Sequence, residues 1–353
     1  MALARRLGLQ SGLVGLLIGL GCLAIILRQV DLRQSWNALA HLDAKLLLIP
    51  LLAFVVNIPL RAWRWQLIFP PASRPRFGLC LTVLGIGNMA NFLLPARAGD
   101  LARCVLAGRS ASLTDSTRTL ATLAVEKVLD GLALVGMLLL SLSALHPPIW
   151  VTGLLRVATL IFVGATVLLI VLRYRATVFL HWLRAAFRRL RLSSLEEKFD
   201  GLLTAFVDGL SAVSSGGRVM TLVAITMAIW ATEATLTWGL AKTLGLGVTL
   251  SSATIASAVL GLGMMIPAAP GGLGTYELLG TEVFKLTGVS ASSALTLTVV
   301  IHAWVFLTNV ALGISLLAVK GLSLAQLRKR LDVKPVDGTD AGSDTGSGLG
   351  TLT

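Results

Sequence analysis

The stretch LPARAGDLAR, residues 94–103, sets Arg97, Asp100 and Arg103 at three-residue intervals, which on a helix puts them on one charged face. Two readings fit that spacing. One is the solvated face of an interfacial helix, held by its own charge pairs. The other is a phosphate clamp, in which Arg97 or Arg103 supplies a planar donor fork and Asp100 holds it in place. A second group, Glu126, Lys127 and Asp130, sits inside an apolar run, about two helical turns from its cytoplasmic end. Charged side chains at such depth are costly and face a cavity or one another. Lys127 and Asp130 are spaced to pair on the helix itself, leaving Glu126 to find an arginine elsewhere. The group is either a structural ion-pair network or part of a substrate or proton path. Glu233 stands in the middle of IWATEATLTWG with no basic residue within a turn, so its partner comes from another helix or it titrates.

A third stretch, PAAPGGLGTYE at 267–277, interrupts apolar sequence with two prolines and three glycines. Gly271, Gly272 and Gly274 would expose backbone N–H groups, and a half-helix starting near Thr275 would point its positive end into the membrane, a site for an anion. Glu277, in the first turn, either belongs to that site or merely complements the dipole. His302 and Asn309 share one face of the last apolar run and read as interhelical hydrogen bonds or as secondary site residues, as does Asn91 beside the first charged stretch. No strand precedes the glycines, so they are not a dinucleotide fingerprint. Cys22, Cys80 and Cys104 form neither a C-x-x-C nor a cluster with the four histidines, and no metal, disulfide or other cofactor is expected.

The elements that must position these residues belong to a membrane. Of 353 residues, 55% are hydrophobic and only 13% charged, and the mean hydropathy is +0.84, a profile foreign to soluble domains of this length. The net charge of +13 sits in short arginine runs beside apolar segments, where lipid headgroups and the positive-inside rule account for it and nucleic acid does not. Arg5 and Arg6 precede an apolar run from Ser11 to Leu27 that lacks a small-x-small cleavage site, which predicts an uncleaved first span with its N-terminus inside. Further apolar runs cover 46–60, 77–94, 119–145, 151–172, 219–240, 251–266 and 290–319.

Charge placement orients them. Segments 61–76, with Arg61, Arg64, Arg74 and Arg76, and 95–118, with Arg97, Arg103, Arg109 and Arg118, both read as cytoplasmic. The run 77–94 between them must then enter and return on one side, which Gly85, Gly87, Asn88 and Asn91 would permit. HPPIW at 146–150 carries no lysine or arginine and faces out, whereas 173–191 is rich in arginine and faces in. By the same logic 251–288 begins and ends outside, as a second re-entrant hairpin broken at PAAPGGLG. The predicted fold is an all-α polytopic membrane protein of about six full spans with two oppositely entering hairpins, which suggests an inverted repeat. Amphipathic helices at about 173–217 would lie on the cytoplasmic surface. The membrane domain would cover 1–334, and the polar, glycine-rich end at 335–353 would be disordered.

NFLLPARAGDLARCVL (91–106), ATLAVEKVLDGLALV (121–135) and PAAPGGLGTYE resemble, in order and spacing, the membrane domain of the lysylphosphatidylglycerol synthase and flippase family, over roughly 10 to 320. Asp100 stands where that family more often has glutamate and Lys127 where arginine is usual, and both keep the charge. The resemblance implies lipid translocation without the soluble aminoacyl transferase domain that longer members carry. It also implies a cell-membrane location, and the charge placement, with Lys320, Arg328, Lys329 and Arg330 after the last run, sets both termini on the cytoplasmic side. The partners this reading calls for are a lipid with an anionic or phosphate-containing headgroup, a further copy of the chain, and a separate lipid-synthesising enzyme. Nucleic acid is not among them. A membrane-embedded transferase is the alternative, weakened because no D-x-D or D-D-x-x-D motif groups the carboxylates that metal-assisted transfer uses. A scaffold would have little use for Glu126 and Glu233 in lipid.

Overall fold

The computed structural model describes residues 43–94, 98–110, 116–142, 148–175, 216–265 and 270–320, together with positions 181, 207 and 210. Among the described residues there are nine α-helices: α1 (Leu48–Ile68), led in by a 3-10 turn at Ala44–Leu47, α2 (Phe77–Leu93), α3 (Ala98–Ser110), α4 (Ser116–Leu142), α5 (Ile149–Tyr174), α6 (Gly216–Thr243), α7 (Leu250–Met265), α8 (Thr275–Lys285) and α9 (Ala291–Val319). Four of them, α1 with its lead-in turn, α5, α6 and α9, are long and apolar enough to cross a membrane. The 27-residue α4 has the length as well, but Glu126, Lys127 and Asp130 interrupt its apolar sequence. Apolar α2 and α7, at 17 and 16 residues, reach only about 25 Å, short of the roughly 30 Å of hydrocarbon.

Short α2 and α7 each turn back into a partner. In the first hairpin the arms α2 and α3 touch backbone to backbone, because Gly87 faces Gly99. A Cβ on Gly99 would run into the Gly87 carbonyl and lie 2.6 Å from the Asn91 amide nitrogen. Asn91 ties the mouth of this hairpin, accepting from the Asp100 N–H at 3.2 Å and donating to Asp100 Oδ1 at 3.2 Å. In the second hairpin, α7 packs on α8 through Gly263 against Leu279, and a 3-10 turn at Pro270–Gly272 forms part of its tip. That turn rests against α2.

Most of the helix contacts repeat under the exchange of α1 with α6, α2 with α7, α3 with α8 and α4 with α9, the exception being α4 against α6, which pack more closely than their counterparts α9 and α1. Helix α1 packs on α6. Helix α1 meets α2 as α6 meets α7, and α2 meets α3 as α7 meets α8. Likewise α3 meets α4 as α8 meets α9, α2 meets α9 as α7 meets α4, and α1 meets α4 as α6 meets α9. Helix α5 stands outside this scheme, packed on α4 with the Phe162 ring over Gly131. Its other faces leave Leu160, Ile161, Val167 and Leu168 exposed, which suits a helix whose solvent is lipid.

Two expectations change. Arg61 and Arg64 do not lie in a cytoplasmic linker, because α1 continues to Ile68 and Arg64 and Trp65 are buried within it. Nor does 77–94 fold back on itself. Helix α2 runs unbroken through Gly85 and Gly87, whose missing side chains admit Leu316 and Arg103, and the return arm is α3. The run 11–27, most of the amphipathic pair at 173–217 and the tail at 335–353 fall outside the described residues.

Candidate functional site

The arginines of α1 give the site its foundation. Arg64, with a side chain 0% exposed, grips Asp130 of α4 with both ends of its fork, Nη1 to Oδ1 at 2.6 Å and Nη2 to Oδ2 at 3.0 Å. Its Nη1 also donates to Thr226 Oγ1 of α6 at 3.2 Å. Arg103 of α3, 2% exposed, does the same to Glu126, through Nη1–Oε1 at 3.1 Å and Nη2–Oε2 at 2.7 Å. The Arg64 Nη2 lies 3.7 Å from Glu126 Oε1, which joins the two pairs. The Trp65 ring packs against the Arg103 guanidinium at 4.4 Å, and the Trp230 indole donates to Asp130 Oδ1 at 3.0 Å. Burying four charges is tolerable only because each carboxylate meets a planar fork and further donors.

Above this buried layer lies a second, partly exposed one. Arg61 Nη2 meets Glu233 Oε1 at 2.9 Å, with side chains 19% and 27% exposed. Asn57 orients the pair: its Oδ1 accepts from Arg61 Nε at 2.7 Å while its Nδ2 donates to Thr232 Oγ1 at 2.7 Å. On the facing wall Lys127 Nζ lies 3.3 Å from Asp100 Oδ2. Both pairs line a cavity of about 190 Å³ to which α1, α2, α3, α4, α6, α7, α8 and α9 contribute, with Met264, Met265, Tyr276 and His302 also on its wall.

The second hairpin reaches this cavity through His302. Its Nδ1 is 2.5 Å from Glu277 Oε1 and its Nε2 is 2.9 Å from the Gly271 carbonyl oxygen. Glu277 Oε2 accepts from the Gly274 N–H at 2.6 Å. The chain can make this turn because Gly271, Gly272 and Gly274 all adopt positive φ, at 63°, 77° and 83°, where side chains are strained. Tyr276 stacks on the imidazole with centroids 4.4 Å apart.

Of the residues singled out in the sequence, Asn91, Asp100, Arg103, Glu126, Lys127, Asp130, Glu233 and His302 line this single cavity. Glu277 and the three glycines stand behind His302 rather than on the cavity wall. Asn309 accepts from Asn88 at 3.1 Å, an α2–α9 tie. Arg97 lies outside the described residues. Three details differ from the sequence expectation. The Arg103 fork is engaged by Glu126 rather than held by Asp100 for a phosphate. Asp130 pairs with Arg64 of α1, and Lys127 reaches across to Asp100. The N–H of Gly274, expected to meet an anion, meets the chain's own Glu277. Arg61 and Arg64 are the candidate site residues that sequence reasoning misplaced. RAWRW, two arginines three apart among tryptophans at the end of an apolar run, reads as a membrane-interface pattern, so nothing in the local sequence signals that Arg64 is buried.

The family described as "Lysylphosphatidylglycerol synthase TM region" matches residues 12–313. The chain is similar to "Glycosyltransferase AglD" of Haloferax volcanii, 27% identical over 321 residues that cover 82% of this chain and 51% of that protein. It is also similar to "UPF0104 membrane protein PH1989" of Pyrococcus horikoshii, 23% identical over 305 residues, 80% of this chain and 89% of that one. The chain thus spans about half the length of the first relative and most of the second. No solved structure matches it.

Proposed function

The chain belongs to the lysylphosphatidylglycerol synthase transmembrane-region family, a multi-pass membrane family, and from that premise we propose that it is a lipid translocase that moves a phosphate-containing headgroup through the cavity between its two hairpins. The observation that carries the reading is the cavity itself. Two ion pairs, Arg61–Glu233 and Lys127–Asp100, stand partly exposed on its walls, inside a bundle whose outer faces are apolar. A headgroup could exchange into these pairs, its phosphate meeting Arg61 and Lys127, while its acyl tails stay in the bilayer.

The architecture in this reading is an inverted repeat, α1–α4 and α6–α9, with one hairpin entering from each face. The paired helix contacts support it, as does the meeting of the second hairpin's tip with α2. Six spans would result from α1, α4, α5, α6, α9 and the apolar run 11–27, with both termini on the cytoplasmic side of the cell membrane. The chain would act on lipid made by a separate enzyme and would form no covalent bonds itself. A transferase is the second reading, favoured by the name of the Haloferax relative, though the chain covers only 51% of that protein.

The test is translocation of NBD-labelled phosphatidylglycerol in proteoliposomes, read by dithionite quenching. Wild type should expose the label at both leaflets, and a double Arg61→Ala, Lys127→Ala variant should lose most of that rate while remaining inserted. Equal rates in the two proteins would remove the cavity from the path. A lipid of altered mass after incubation would favour the transferase.

A further inference from the structure

We infer that Glu277 and His302 form a one-proton binding site whose occupancy holds the tip of the second hairpin closed. The chemistry follows from what each imidazole nitrogen faces. A backbone carbonyl can only accept, so Nε2, 2.9 Å from the Gly271 oxygen, carries a proton. The other nitrogen lies 2.5 Å from a carboxylate oxygen, so a second proton sits between Nδ1 and Oε1. It is counted once, whether drawn on histidinium beside carboxylate or on carboxyl beside imidazole. Take that proton away to solvent and the neutral ring, with one N–H, can serve only one of its two acceptors: either the Nε2 lone pair faces the Gly271 carbonyl oxygen or the Nδ1 lone pair faces the Glu277 carboxylate. One of the two ties must part.

What parts with it is the tip. His302 belongs to α9, while Gly271, Gly274 and Glu277 belong to the turn and first residues of the second hairpin. One imidazole therefore ties the scaffold to the turn twice, directly at Gly271 and through Glu277 to Gly274. Among the described residues, the surrounding groups leave this pair alone in its sensitivity. From α8, Tyr276 covers the ring. Across the cavity stand Arg61 of α1, Asp100 and Arg103 of α3, Glu126, Lys127 and Asp130 of α4, and Glu233 of α6. Each of those carboxylates lies against an arginine or lysine, whose proton does not leave near neutrality. Toward the cavity α2 presents Asn88, Asn91 and Phe92, and α7 presents Met264 and Met265, none of them titrating. Histidine is the side chain whose proton does exchange in that range.

The sign is fixed by proton count. The closed tip binds one proton more than the open one, so closure is complete at low pH, and where the pair deprotonates the closed-to-open ratio falls about tenfold per pH unit. The inference rests on the translocase reading only for the purpose of the movement, which would admit a headgroup from the side of the second hairpin in exchange for a proton.

The experiment places spin labels at Leu93→Cys and Leu273→Cys, exposed positions at the two hairpin tips, with Cys22, Cys80 and Cys104 replaced by alanine. Their separation is measured in phosphatidylethanolamine and phosphatidylglycerol vesicles from roughly pH 5 to 9, which brackets neutrality on both sides. Wild type should show one short distance at low pH and a growing longer population as pH rises. Glu277→Gln should keep the short distance throughout, because the glutamine oxygen can accept from Gly274 N–H while its amide donates to a neutral His302 Nδ1, with no added proton needed. A purely structural pair predicts the reverse, a looser tip in Glu277→Gln at every pH. A single distance at all pH in wild type overturns the proton site, as does equal pH dependence in wild type and Glu277→Gln. Lipid translocation in the same vesicles separates the two ideas. A pH-dependent tip without translocation keeps the proton site and removes the translocase, and translocation with a fixed tip does the opposite.

Discussion

Each hairpin is anchored to the helix that follows it by one buried ion pair, and the two anchors are chemically different. Helix α3 is held to α4 by Arg103 and Glu126, two parallel contacts between groups that stay charged at any physiological pH. The second hairpin is held to α9 by Glu277 and His302, a pair that depends on a single exchangeable proton and reaches the backbone of the turn at two points. The positions correspond in part: Glu126 and His302 face their arms from near the middle of α4 and α9, whereas Arg103 is the sixth residue of its arm and Glu277, like Asp100, the third. A repeated architecture thus carries a permanent fastening on one side and a conditional one on the other. Both anchors reach the cavity, the first through Arg103 and Glu126 and the second through His302, but only the first is also tied into the Arg64–Asp130 pair and covered by Trp65.

The sharpest way to break this comparison is Glu126→Gln. It leaves the Arg103 guanidinium charged, buried and without its carboxylate, and should cost about 3–5 kcal/mol of stability, seen as a large shift of the midpoint in an SDS unfolding titration. A shift no larger than that of Glu277→Gln would show the two anchors to be alike. Next in size is Gly99→Ala. Its new methyl would meet the Gly87 carbonyl and the Asn91 amide, backbone that cannot rotate away, and should cost about 1–3 kcal/mol. Gly136→Ala, in α4 with nothing within 4 Å of the new atom, should instead stabilise by about 0.5–1 kcal/mol. Thermal midpoints of the two variants moving in the same direction would refute the close approach of α2 and α3.

Glu277→Gln comes third. Because its amide can replace both contacts of the carboxylate, the loss should stay near 1 kcal/mol, and it should be smaller at high pH, where the wild-type pair has itself lost its proton. A cost that rises with pH would contradict that sign. The smallest effect belongs to Lys127→Ala. With its side chain 33% exposed beside Asp100, it should change stability by less than about 1 kcal/mol and yet slow translocation, a separation visible by measuring unfolding and lipid movement on one preparation.

Much of this was legible in the residues themselves. The cost of charge in lipid singled out Glu126, Asp130 and Glu233 before any fold was known, since no helix buries such groups without a partner or a cavity. Prolines and glycines at 267–274 marked the second hairpin, because three positive φ angles in four residues admit little else. The first hairpin was harder to read. The stretch between its arms has one proline in sequence and its glycines serve packing between arms, so the break was expected inside α2 rather than after it. Placement of arginines assigned sides to loops, but Arg61 and Arg64 defeated that rule because the carboxylates that neutralise them lie on α4 and α6, 66 residues away for Asp130 and 172 for Glu233. Sequence by itself determined which residues had to be paired, through their charge and the apolar runs around them. Only the tertiary structure decided the partners: a guanidinium accepts any carboxylate within reach, and which one comes within reach is set by helix packing among residues far apart in the chain.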